Sequence, residues 1–504
     1  MNPFLARDVP WLLRARAAAH PDKPFLVWAP FDGAGETWTW ARFTGEVAAL
    51  GGALQRRGVG QGDFVAIHLE NSPEFLLAWF AIQSIGAIAV FTNTRWTVPE
   101  LTHALALPPV VAVVTEPALA AVVDAALPPA ARLVVTVPLT AWLEERAQPS
   151  PVALDPMDPA GLLFTSGTTG RSKGVVWTHA NYLWAGKVGA SHGDVRAEDR
   201  CLVYLPLFHA IAHSYSIMAA VWAGATIVLM PRFSTRRFWP TALAHRATWC
   251  SQIVFGTRAL AAEPVPAGHR FRRWCNSLVG APWDPHYGIP TIGWYGMTEL
   301  VSTPIVSEPG SVPPSPAIGV PAPEYEVSVL DADGRPTRPG DVGRLEIRGR
   351  RGVSVALEYL HDPAATRAAW APDGWFATGD RVLVTPEGWI AFADREKDVL
   401  KVGGENVAAS EVEAVIARVP GVAEVAVVPA PHAMLDEVPV AFVVPQAADA
   451  ANGLADRIIA ACRADLADFK VPRAVYLLDA LPRGTIEKVA KEELKRRARE
   501  AARA

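Results

Sequence analysis

The reading of this chain turns on GLLFTSGTTGRSKGVVWTH, residues 161–179. An apolar strand is expected to run to Phe164, and a loop of small, polar and basic residues follows: Thr165, Ser166, Gly167, Thr168, Thr169, Gly170, Arg171, Ser172, Lys173 and Gly174. Glycines expose backbone N–H groups, hydroxyls add donors and two cations add positive charge, which together suit the cradling of a polyphosphate. The spacing from Gly167 superficially suggests a Walker A loop. It fails as one, because Lys173 is followed by Gly174 and the hydroxyl that would hold Mg²⁺ is missing. The competing reading is an ordinary Ser/Thr/Gly surface loop, which such a dense donor array directly after a buried strand argues against.

Outward from the loop, helical and strand patterns alternate. WARFTGEVAALGGALQRRG reads as an amphipathic helix ended by glycine, DFVAIHL as a short strand, SPEFLLAWFAIQSIG as a helix with a Ser-Pro start, and AIAVF as a further strand. VVAVV, RLVVTV and TIVLM continue the series. Continuously apolar strands joined by helices predict a parallel sheet covered on both faces. From about Ile318 the texture changes to short strands, YEVSVLD, VGRLEIRG and GWIAFAD, separated by Asp-Gly, Pro-Gly and Glu-Gly turns. A charged connector, ADREKDVLK, leads into a compact α+β pattern, which places a domain boundary near residues 394–397.

At 504 residues the chain exceeds one hydrophobic core. With 50% hydrophobic and 19% charged residues it is a packed globular protein, and a net charge of −4 gives no electrostatic case for nucleic acid. Cys201, Cys250, Cys275 and Cys462 form no CxxC pair and read as buried thiols. The first twenty residues lack an uninterrupted apolar core, so no secretory leader is expected. The longest apolar run, FLLAWFAIQSIGAIAVF, is interrupted by Gln83 and Ser84 and breaks at Gly86. It predicts a buried helix passing into a strand, not a membrane span, and a cytoplasmic protein.

TSGTTGRSKG resembles the phosphate loop of the adenylate-forming superfamily, with Ser172 where that family usually has proline. The resemblance extends along nearly the whole chain. GWYGMTEL is similar to the family's YGxTE element, TGD (378–380) to its ribose-binding aspartate, and DREKD to its interdomain hinge. KVGGENVAASEVE resembles the loop that guides CoA, and DFKVPRAVYLLDALPRGTIEK the terminal catalytic-lysine motif. LPLFHAIAHSYSIMAAVWAGATIVLMPRFS looks most like the acyl-CoA ligase branch that includes crotonobetaine/carnitine-CoA ligase relatives.

The implied fold is α/β. A large N-terminal domain (1–393) holds two doubly wound α/β subdomains plus a small β-rich subdomain. A hinge (394–397) joins it to a smaller, mobile α+β C-terminal domain (398–504). The implied reaction joins a carboxylate to the α-phosphate of ATP, releases pyrophosphate, and passes the acyl group from its adenylate to CoA. By resemblance, Thr165, Ser166, Gly167, Thr168, Thr169, Gly170 and Lys173 hold phosphates, Thr298 contacts the α-phosphate and Glu299 holds Mg²⁺. Tyr295, next to Gly296, stacks on adenine beside Gly280, Ala281 and Pro282, while Asp380 and Arg395 bind the ribose. His209 lines the acyl tunnel, with His213, Ser251 and Gly256 in its walls, and Gly256 is expected to leave room there. Lys397 is the hinge; Lys488 serves adenylation, and Lys401, Gly403 and Gly404 serve CoA. The glycine pair suits close backbone approach to pantetheine. The implied partners are a small-molecule carboxylic acid or its adenylate and CoA, with neither nucleic acid nor membrane, and a homodimer is among the assemblies allowed.

No acidic residue occurs from Cys201 to Ala262, which disfavours an amino-acid or carnitine-like substrate, since a buried ammonium needs a partner. A bulky, mostly apolar acid is the expectation. Two departures bear on adenylation. Glu487 precedes Lys488 where the family usually has glycine; a carboxylate about 5 Å from a phosphate charge would cost roughly 3 kcal/mol at an effective dielectric of about 20. Only WDPHYGIP (283–290) separates Gly280–Pro282 from the strand TIGWYG, and its prolines and glycine predict no regular helix. These departures support an alternative: a partial enzyme that catalyses mainly thioesterification of an adenylate made elsewhere.

Overall fold

A computed structural model describes residues 2–165, 172–277, 279–280, 282–308, 310–311, 313–314, 316–395, 399–402, 405–432, 435–447, 451–466, 468–484 and 488–502. At residues 394, 395, 399, 401, 405, 406 and 436 it describes the backbone alone. The chain folds into two compact units, Met1–Val327 with Ile347–Ala377, and Ser328–Glu346 with Thr378–Ala504.

In the first unit one sheet runs Glu358–Tyr359, Lys173–Thr178, Pro159–Thr165, Ile88–Phe91, Phe64–His68, Val110–Thr115 and Leu133–Thr136 among the described residues. Its centre is parallel, and the strand Lys173–Thr178 turns back antiparallel against Pro159–Thr165, with Thr165 opposite Lys173. The phosphate-loop sequence therefore joins the two strands of a hairpin. The helix Pro73–Ser84 begins where Ser72 accepts from the Phe75 N–H, and it is buried on nearly all sides. Its one buried amide, Gln83, donates to the Ala160 carbonyl at 3.0 Å. Gly86, at φ +75°, then turns the chain into the strand Ile88–Phe91. No helix among the described residues is long and apolar enough to cross a membrane.

The second sheet of this unit contains the parallel series Thr291–Tyr295, Arg273–Asn276, Trp249–Ser251, Arg200–Val203, Thr226–Leu229 and Pro24–Trp28. Cys201, Cys250 and Cys275 lie in it as buried free thiols; Cys462, in the second unit, is also buried and free.

In the second unit, Val422–His432 and Asp436–Pro445 form a long antiparallel pair, and Ala474–Leu477 lies parallel to the latter. Alternation divides their side chains between two clusters. Val427, Ala441 and Val443 pack with the helices Ala409–Ile416 and Leu454–Asp465, while Ala426, Val428, Val440 and Phe442 pack with Leu494 and Ala498 of the terminal helix Lys491–Ala501. Ser328–Glu346 and the strands Trp375–Val384 and Ile390–Arg395 supply most of the short β-strands read from the sequence.

Candidate active site

The loop residues Ser166, Gly167, Thr168, Thr169 and Gly170 lie outside the described residues, but both of their anchors are placed. Thr165 ends one strand and Lys173 begins the next. The Lys173 ammonium stands 4.8 Å from the centre of the Tyr359 ring. The Tyr359 hydroxyl donates to Glu299 Oε1 at 2.8 Å. The Lys173 cation and a carboxylate 126 positions further along are thus joined through one aromatic ring. Burial and the Glu299 charge push the Tyr359 phenol well above the ordinary tyrosine range, so it stays a donor.

Glu299 is 4% exposed and sits in a one-turn 3-10 helix, Thr298–Leu300. That turn is pinned from several directions. Trp177 Nε1 donates to the Thr298 carbonyl at 2.9 Å, the Ala356 N–H to the Glu299 carbonyl at 2.8 Å, and the Tyr325 hydroxyl to the Leu300 carbonyl at 3.2 Å. Tyr215 donates to the Ser302 carbonyl at 3.3 Å, and His192 Nδ1 lies 2.7 Å from Thr303 Oγ1. Between them Val301 holds φ +64°, a conformation costing a β-branched residue about 1–3 kcal/mol. The pinning bonds over-determine the turn, so the strained residue persists.

The remaining site residues of this unit follow the carboxyl ends of neighbouring parallel strands, where open α/β sheets place ligands. Ser251 ends Trp249–Ser251, Tyr295 ends Thr291–Tyr295, Gly280 (φ +70°) follows Arg273–Asn276, and His209 follows Arg200–Val203. His209 is half-buried, its ring 4.6 Å from that of Phe208. His213 lies deeper, stacked 4.1 Å from Trp79 and edge-on to Phe91. Burial holds its imidazole neutral, with the pKa lowered to about 3. Its Nε2 lies 2.5 Å from the Leu207 carbonyl, which only accepts, so Nε2 carries the proton. The space beside Gly256 is taken by the Tyr204 hydroxyl and Gln252, which meet a Cβ built there at 2.6 and 3.0 Å. At Gly296 a built Cβ would stand 1.9 Å from the Tyr215 hydroxyl.

One expectation is overturned beside Gly280. Residues 283–287 form a short helix, Trp283–Tyr287, despite Pro285. Proline sits here in the first turn, where its missing N–H has no intrahelical partner to lose, and Gly288 (φ +65°) supplies the left-handed cap. Tyr287 ties this helix down by donating to the Thr257 carbonyl at 2.5 Å. Ala281 lies outside the described residues, and Pro282 is the residue preceding the helix.

In the second unit Asp380 is 3% exposed on the strand Trp375–Val384, directly across from Arg395. Thr378 secures this strand by donating to the Leu345 carbonyl at 2.7 Å and accepting from the Asp380 N–H. The side chain of Lys401 and all of Lys397, Gly403, Gly404 and Glu487 lie outside the described residues. Lys488 is exposed and precedes the terminal helix instead of riding on it; its carbonyl accepts from the Gly484 N–H at 2.7 Å.

Tyr359, Trp177, Tyr215, Tyr325 and His192 were missed by sequence reasoning. Each lies tens of residues or more from the turn it holds, and no local pattern marks such a partner. Glu299 supplies one buried carboxylate, of the hard oxygen type that Mg²⁺ takes beside phosphate oxygens and water.

Comparison with known proteins supplies the family. The AMP-binding enzyme family matches residues 13–360, and the AMP-binding enzyme C-terminal domain matches residues 411–488. A crotonobetaine/carnitine–CoA ligase of Proteus mirabilis is 31% identical over 505 residues, covering 95% of this chain and 97% of that protein. The o-succinylbenzoate CoA synthetase of Bacillus subtilis, solved with its acyl-adenylate intermediate, superposes with a TM-score of 0.82 at 27% identity, covering 96% of this chain and 97% of the other. An anthranilate CoA ligase bound to anthranoyl-AMP shares the fold at a TM-score of 0.88 and 24% identity, covering 100% and 99%.

Proposed function

Because this chain belongs to the AMP-binding enzyme family and is an AMP-forming acid–thiol ligase acting through an acyl-adenylate, we propose that its substrate is a bulky, mostly apolar carboxylic acid, converted to its CoA thioester. The observation that carries the nucleotide half of this reading is the Lys173–Tyr359–Glu299 arrangement beside the phosphate-loop hairpin. An acid carboxylate oxygen attacks the α-phosphorus of ATP as the bond to the bridging oxygen breaks and pyrophosphate leaves. The CoA sulfur then attacks the acyl carbon, and its bond to the AMP oxygen breaks. Lys173 and the loop neutralise phosphate charge, and Glu299 would hold the Mg²⁺ that shields the phosphates. Asp380 and Arg395 bind ribose and Tyr295 stacks on adenine. Lys397 acts as the hinge of a mobile domain that brings Lys488 for adenylation and Lys401, Gly403 and Gly404 for CoA.

The apolar acid is supported by the absence of Asp or Glu from Cys201 to Ala262, together with the aromatic side chains of Tyr204, directly after the strand Arg200–Val203, and of Tyr215, packed 4.6 Å from Trp294. The named substrates of the Proteus relative bear a quaternary ammonium, for which that segment offers no carboxylate. A second reading, thioesterification alone, is favoured by Glu487 next to Lys488 in the chain and by the shortness of the 283–290 segment between Pro282 and the strand Thr291–Tyr295.

The half-reactions separate the readings. ATP–pyrophosphate exchange is measured with aromatic and branched-chain acids, acetate and crotonobetaine, and synthetic acyl-adenylates are then supplied with CoA. Exchange with an apolar acid is expected. Preference for acetate or crotonobetaine sinks the substrate assignment, and product from supplied adenylate without any exchange establishes the partial enzyme.

A further inference from the structure

We propose that Tyr359 is a positioning residue which sets Glu299 and Lys173 against each other for the metal–nucleotide complex, an inference that rests on the ligase reading above. Three observations converge on this side chain. Its hydroxyl donates to Glu299 Oε1 at 2.8 Å, which holds one oxygen of a carboxylate standing on a strained turn. Its ring carries the Lys173 ammonium at 4.8 Å, an attraction between a cation and an aromatic face. Its backbone is itself immobilised: Tyr359 lies opposite Val175 in the sheet, the Leu360 N–H donates to the Gly174 carbonyl at 2.8 Å, and the Tyr359 N–H donates to Thr366 Oγ1 at 3.1 Å. Trp370 packs against the ring, with centroids 5.2 Å apart.

Tyr359 thus joins the Lys173 cation to the Glu299 carboxylate. A tyrosine that merely filled space would need neither the hydroxyl contact nor the cation on its face. Phenylalanine would then serve equally, which is the distinction the test exploits.

The experiment titrates Mn²⁺ into the full-length enzyme with α,β-methylene-ATP and reads free Mn²⁺ by electron paramagnetic resonance. Calorimetry measures binding of the same analogue without metal. Tyr359→Phe keeps the ring and is expected to raise the Mn²⁺ dissociation constant about tenfold, equal to about 1.4 kcal/mol, while metal-free nucleotide binding stays within about twofold. Tyr359→Ala, which also removes the surface under Lys173, is expected to weaken both. Because Tyr359→Ala is open to misfolding, a second measurement uses Glu299→Gln alone and with Tyr359→Phe. The two changes together are expected to cost less than the sum of the two separately, since they share one contact. Wild-type Mn²⁺ affinity in Tyr359→Phe, or strict additivity in the double variant, overturns the proposal. If the wild type also lacks both metal-dependent nucleotide binding and ATP–pyrophosphate exchange, the ligase reading falls with it; retained exchange confines the failure to Tyr359.

Discussion

Trp177 Nε1 donates to the carbonyl oxygen of Thr298 at 2.9 Å, tying the strand that leaves the phosphate loop to the turn that carries Glu299. The bond spans 121 positions and both partners are buried or nearly so. Trp177→Phe removes part of a fully buried ring and leaves the carbonyl without its donor, the lost donor alone costing about 1–3 kcal/mol. Thermal melting is expected to shift down by a few degrees, while ATP–pyrophosphate exchange falls by tenfold or more. An exchange rate that follows only the small stability loss removes Trp177 from the positioning of this turn.

Glu299→Gln is nearly isosteric and removes the negative charge. Adenylation is expected to fall by at least about a hundredfold, the scale on which a transition-state electrostatic contact acts. Thioester formation from supplied adenylate and CoA should retain most of its rate. Equal loss in both assays assigns Glu299 to structure instead.

Lys488 stands ahead of the terminal helix, and its carbonyl accepts from the Gly484 N–H. Lys488→Ala should abolish pyrophosphate exchange and spare the thioester step. Glu487→Gly removes a carboxylate beside that lysine and is expected to raise the exchange rate severalfold. A Glu487→Gly enzyme no faster than the wild type shows that this carboxylate does not oppose the phosphates.

Gly296→Ala introduces a methyl group 1.9 Å from the Tyr215 hydroxyl and 2.6 Å from the Ser302 carbonyl. Something must move, and the displaced Ser302 adjoins the Glu299 turn. Melting temperature and exchange activity are both expected to drop. Adding Tyr215→Phe relieves the first clash but also removes the hydroxyl bond to the Ser302 carbonyl, so the double variant should recover only part of the loss; no recovery assigns the loss to the Ser302 contact together with that bond.

Three buried histidines predict an acid-sensitive fold. Burial lowers the pKa of His213 to about 3 and those of His68 and His179 to about 4. Unfolding restores each to about 6.5, so below that pH the unfolded chain binds more protons than the folded one. Their stabilising contribution is therefore full above about pH 6.5 and declines as pH falls toward 4, on the order of 3 kcal/mol for each. Urea midpoints measured from pH 7 to 4.5 should decline, and His213→Phe should decline less steeply even though it starts less stable for want of the bond to Leu207.

Much of the architecture was written locally. The Ser72 cap, the apolar runs at 64–68, 88–91 and 110–115, and the alternation in 422–445 state their own conformations, because each periodicity matches one backbone geometry and each cap satisfies its own helix end. The resemblance to a phosphate loop was likewise carried by contiguous residues, 165–174. A short helix at Trp283–Tyr287 was not, because proline forbids helix only beyond the first turn and the turn's start was unmarked. What the sequence by itself determined is thus the reaction family and the parallel α/β frame, both carried by contiguous residues. What only the tertiary structure decided is the support of the site: Tyr359 under Lys173 and against Glu299, Trp177 on Thr298, Tyr215 filling the space at Gly296. Those contacts arise where strands distant in sequence end side by side, and sheet topology alone brings them within hydrogen-bond reach.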